Sequence, residues 1–83
     1  MIYTIACYHD VDTGKFNPPM LFPFDKESVV ETVKEGCLKG KIEGCEAFEL
    51  MYLGTYDTAS AKFDLVSSPE LLFKCTDYVR KSA

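Results

Sequence analysis

The stretch Phe48-Glu49-Leu50-Met51-Tyr52-Leu53-Gly54-Thr55-Tyr56 constrains this chain most. Its aromatic and aliphatic residues recur with the two-residue period of a strand. That period puts Phe48, Leu50, Tyr52 and Tyr56 on one face and Glu49, Met51, Leu53 and Thr55 on the other. Turn residues follow over 57–61, and Lys62-Phe63-Asp64-Leu65-Val66 alternates back as the hairpin partner. A single hairpin is at best marginally stable in water, so the rest of the chain must supply further strands and a covering layer.

The front of the chain supplies both. Residues 2–8 are β-branched and aromatic, with apolar groups on both faces. Asp10, Thr13 and Gly14 carry turn chemistry, and Lys15-Phe16-Asn17 is expected to return as a short second strand, giving a hairpin over 2–17. Pro18 and Pro19 end its pairing, and 20–24 is expected to run extended over the edge of the core. Asp25 is an N-cap for a helix over about 25–39, with Glu27 and Glu31 near its positive end. Val30, Val33 and Cys37 predict the apolar stripe, and Gly40 the stop. Residues 39–46, with two glycines, read as a loop, and a second hairpin is expected over about 47–66.

Ser67 and Glu70 fit a capping box with Pro69 in the first turn, which predicts a final helix over about 68–81. Leu71, Leu72, Cys75, Tyr78 and Val79 would form its apolar face, with Arg80 and Lys81 at the carbonyl end. The expected fold is therefore a single α+β domain, 1–83, with a mostly antiparallel four-stranded sheet and the order ββαββα. Eighty-three residues bury only roughly 60–65% of their unfolded surface, and eleven aromatics compensate for that thin margin.

The net charge of −4 argues against long-range attraction to phosphate, while leaving room for a local basic patch. The cations are scattered, with loose groupings at Lys34, Lys39 and Lys41 and at Arg80 and Lys81. Cys7, Cys37, Cys45 and Cys75 form no C-x-x-C pair, and one histidine cannot complete a two-cysteine, two-histidine zinc set. Residues 1–8 lack the basic flank and cleavage-like segment of a signal peptide. Free, mostly buried thiols in a reducing cytoplasm are expected. The longest uncharged run, 16–24, is far short of the ~20 residues that cross a bilayer, so no membrane partner is expected.

Two groups of side chains are candidates for chemistry. Cys7 and His9 share a strand face beside Asp10, but nothing nearby suggests an oxyanion-binding loop. Glu43, Glu46 and Glu49 are close in sequence and read as a solvated loop and strand end. No phosphate-binding glycine loop is present. No enzyme activity, metal or cofactor is expected. For binding, Tyr3, Tyr8, Tyr52 and Tyr56 could stack single-stranded bases, with Lys15 and Lys62 near the hairpin ends. The face Leu71, Leu72, Cys75, Tyr78 and Val79 is the candidate for a protein partner or a second copy.

The segment from Phe48 to Asp57, followed by Lys62-Phe63, resembles the small nonstructural protein of gokushoviruses, single-stranded DNA bacteriophages of the microvirus family. There an E-L-Y-like strand runs into (L/I)-G-x-(F/Y)-D, a hairpin turn and an aromatic. Pro18-Pro19, a helix capped near Asp25, and Pro69-Glu70-Leu71-Leu72 extend the resemblance over residues 2–72. The chain departs from the pattern in its second hairpin, where Thr58-Ala59-Ser60-Ala61 stands in place of a glycine-bearing turn. The resemblance implies a nonenzymatic accessory protein made in the cytoplasm of an infected bacterium and absent from the mature virion. Its implied work is single-stranded genome replication or packaging, through single-stranded DNA or through a phage replication or procapsid protein.

Overall fold

The computed structural model describes residues 1–40 and 45–75. Four strands form one antiparallel sheet: β1 (Ile2–Asp10), β2 (Met20–Phe22), β3 (Phe48–Asp57) and β4 (Lys62–Lys74). One helix, α1 (Lys26–Leu38), separates β2 from β3. The spatial order is β2-β1-β3-β4. The chain is α+β as expected, with the element order ββαββ among the described residues.

The first hairpin turn forms where expected. The Asp10 carboxylate accepts from the Asp12 and Thr13 amides, and Gly14 takes a φ of +74°. The pairing beyond it differs from expectation. Lys15-Phe16-Asn17 only bridges β1, through Phe16 opposite His9, whereas the extended strand partner is Met20–Phe22, which pairs with Thr4, Ile5 and Ala6. Two prolines between them displace the ladder past Pro19, because neither can donate to it.

Helix α1 starts as the sequence predicts: the Asp25 side chain accepts from the Ser28 amide at 2.8 Å. It ends at Lys39, with Gly40 at φ +68°. Its buried line is Val29 and Val33, while Val30 and Cys37 lie at the margin of the core. The expected stripe was thus rotated by about one position. Val29 and Val33 pack with Ala6, Leu50 and Cys75 into the central cluster.

The principal correction concerns residues 67–74. Instead of opening a helix, they continue β4, a strand of 13 residues. Leu71, Phe73 and Lys74 pair with Met51, Leu50 and Glu49. A capping box contributes only about 1 kcal/mol. Continuing the ladder packs Leu72 and Phe73 against the core, which outweighs it. Pro69 is tolerated because β4 is an edge strand. Tyr78, Val79, Arg80 and Lys81 lie outside the described residues, as do Lys41 and Glu43.

Three register shifts set which face each side chain takes: one leaves Leu72 as an extra residue in β4 between Leu71 and Phe73, and the other two meet at Leu53. Ile5 pairs with Gly54 but Ala6 pairs with Tyr52, so Leu53 is an extra residue in β3. On the other side, Tyr52 pairs with Glu70 and Gly54 with Leu65, so Leu53 confronts residues 66–69 of β4. The bulge reverses the alternation. Thr55, opposite Thr4, joins the helix-facing side, and Tyr56, opposite Tyr3 and Phe63, leaves the side of Phe48, Leu50 and Tyr52.

Candidate functional site: the open face of the sheet

Helix α1 covers one face of the sheet. Ala6, Tyr8, Leu50 and Phe73 point toward it, and Lys26 ties it to β4 through Glu70 at 3.8 Å. On the opposite face, β1 presents Tyr3, Ile5, Cys7 and His9, because side chains alternate along a strand. Leu21 stands beside Ile5, Leu71 beside Met51, Leu65 beside Gly54 and Phe63 beside Tyr56. Among the described residues no element lies over this face.

The face is apolar. Phe16, Leu21, Phe63, Leu65 and Leu71 are 52, 47, 57, 62 and 45% exposed. The residues beneath them are tightly covered, Ile5 and Cys7 being buried. At one end of the sheet the Phe16 ring lies on His9 at 4.5 Å, and His9 Nδ1 meets Glu49 Oε1 at 3.0 Å. Toward the other end, Ile5, Pro19, Leu21, Leu53, Phe63, Leu65 and residues 66–69 line an open cleft of ≈ 490 Å³. The bulge opposite Leu53 builds one wall of it.

The aromatic and lysine set read from the sequence is divided by this geometry. Tyr8 stacks on Phe48 at 5.0 Å and Tyr52 lies under Lys26 at 4.0 Å, both on the helix side. Burial, with the Cys75 thiol nearby, pushes the Tyr8 hydroxyl above its ordinary value. Tyr3 and Tyr56 are together on the open face, with Tyr56 against Phe63 at 4.6 Å. Lys62 pairs with Asp57 at one end of the sheet, whereas Lys15 follows β1 at the other end. The six residues therefore make no single surface. Phe63, which joins the Tyr3–Tyr56 pair, was missed because the reversal at Leu53 cannot be seen without the pairing register.

The partner-face set is divided too. Leu71 lies on the open face, while Leu72 packs against the core and Cys75 is fully buried within it. Burial pushes the Cys75 thiol up to about 11 and raises Cys7 as well. These two thiols are free, but Cys37 is disulfide-bonded, which corrects the expectation of free thiols throughout.

The groups weighed for catalysis do not assemble. Asp10 serves its own turn, and His9 turns to Glu49 rather than to a thiol. Glu46 is exposed in a short 3-10 turn (Cys45–Ala47). Among the described residues no group of three or more His, Cys, Asp and Glu side chains could hold a metal ion. No helix among them is long and apolar enough to cross a membrane.

The fold and site thus define an α+β domain whose antiparallel sheet, among the described residues, is covered by a helix on one face. No family model, curated protein or solved structure matches the chain.

Proposed function

We propose that this chain is a nonenzymatic binding protein whose working surface is the open face of its sheet, and that it engages another protein there. The observation that carries the reading is the row of five half-exposed large apolar side chains on a face that no described element covers. Soluble monomers rarely leave contiguous apolar patches beyond a few hundred Å² without a binding role. The resemblance supports placing this activity in single-stranded DNA phage replication or packaging. The partner is then a phage replication or procapsid protein or a second copy of this chain, met in the host cytoplasm and left out of the virion.

A second reading, single-stranded DNA binding, is favoured by Tyr3, Tyr56 and Phe63 lying together with Lys62 at the rim. Its contact set is smaller than the sequence suggested, and the net charge of −4 opposes it. Two titrations decide. An environment-sensitive apolar dye should bind the dilute protein and lose binding in Leu65→Asp, and a wild-type protein that ignores the dye rejects the open-face reading. Labelled single-stranded oligonucleotide should bind at ~50 mM salt and weaken as salt rises if phosphate is contacted. Flat titrations reject the DNA reading.

A further inference from the structure

We propose that the open face is covered by a second copy of this chain, packed sheet on sheet about a two-fold axis crossing β1 near Cys7. Phe16 of each copy then enters the cleft of the other. This rests on the open-face reading above and names its occupant.

Area is the first argument. A large apolar side chain presents roughly 150–250 Å², so five that are half exposed leave about 500 Å² open. A standard interface takes about 800 Å² from each partner. The half-buried Tyr3, Met51, Leu53 and Tyr56 on the same face can supply the remainder.

Charge is the second. The described residues of this face that carry or can take a full charge near neutral pH, His9, Glu49 and Lys74, sit together at one end, while Lys62 falls on the other side of the sheet. Two chains of net charge −4 can meet on this face without burying like charges. An anionic polymer, by contrast, would find few cations across the middle.

Closure of the edges is the third. Strand β2 has only three residues, and the long edge strand β4 is broken by the bulge at 66–69 and by Pro69. Such features block edge-to-edge pairing, which leaves the face as the route to association.

Shape is the fourth. Phe16 stands over His9, four residues along β1 from Ile5 in the cleft, about 13 Å away. A two-fold axis in the interface plane midway between them exchanges the two ends. Each exposed ring then faces the partner's cleft, as an isologous interface requires.

The test is sedimentation equilibrium on the full chain from low micromolar to several hundred micromolar, with apolar-dye binding measured across the same range. Wild type should double its mass while dye binding per chain falls, and added salt should strengthen association by screening like charges. Phe16→Asp and Leu65→Asp, each folded by circular dichroism, should weaken association roughly tenfold to a hundredfold, since a two-fold interface counts every substitution twice. Leu38→Asp, on the helix and away from the face, should leave it unchanged. A wild type that stays monomeric but binds dye overturns the second copy and leaves the open-face reading standing. Monomer without dye binding removes both. Dimers that Phe16→Asp and Leu65→Asp do not weaken place the contact elsewhere and overturn this inference.

Discussion

Gly54→Ala should be among the most damaging single substitutions in this protein. Gly54 holds a φ of +148°, a conformation that costs an L-residue about 2 kcal/mol. Its added methyl would lie 2.8 Å from the Leu65 Cα and 3.0 Å from the Asp64 carbonyl carbon, with the Asp64 carbonyl oxygen nearer still. Ordinary carbon contacts need about 3.5–4.0 Å, so β4 must retreat by roughly 1 Å. A ladder bond stretched by that much is lost, and two flanking bonds at about 1 kcal/mol each add about 2 kcal/mol. The sum, about 4 kcal/mol, compares with about 4–12 kcal/mol total for a domain of this length. Gly14→Ala supplies the control. Gly14 also has positive φ, at +74°, but an added Cβ there meets nothing within 4 Å. It should lose only about 1 kcal/mol, the backbone part alone. Urea unfolding with a shared m-value measures both. A Gly54→Ala loss below about 1 kcal/mol, or one equal to that of Gly14→Ala, would refute the close approach of β3 and β4 that builds the cleft wall.

Leu50→Ala, at the fully buried centre of the core, should cost about 2–5 kcal/mol in the same assay. Stability should fall on the alkaline side. Cys75 is raised from 9.0 to about 11 in the folded chain, so its contribution is complete below pH 9 and disappears as pH rises through about 11. Melting temperature against pH checks this, and Cys75→Ala should flatten the slope in that window. At the acid end, the Ser28 amide bonded to Asp25 holds that carboxyl below its ordinary 3.8. The melting-temperature gap between wild type and Asp25→Ala should thus be full above pH 3.8 and close as pH falls further. Peptide mass mapping of protein alkylated in denaturant should leave Cys37 unmodified without reductant and modified with it, whereas Cys7 and Cys75 are modified in both.

The local parts of the architecture were readable from residues because their causes are local. Asp25 caps the helix through an amide three residues away, and Gly40 closes it. The Asp10 turn is held by its own side chain, and the period of 48–56 marks a strand whatever it pairs with. The candidate sites were less legible. Tyr3, Tyr8, Tyr52 and Tyr56 are alike in sequence, yet two lie on the helix side and two on the open face.

From residues alone this chain was bound to be an α+β domain with a capped central helix and a strand hairpin after it, since period, capping and turn chemistry act within a few neighbours. Tertiary structure alone decided three things: the partner of β1, the fate of 67–74 and the side taken by Tyr56. Each turns on cross-strand pairing. One extra residue at Leu53 exchanges the faces of everything beyond it, and pairing with β3 outweighs a helix signal that stands on a single capping box.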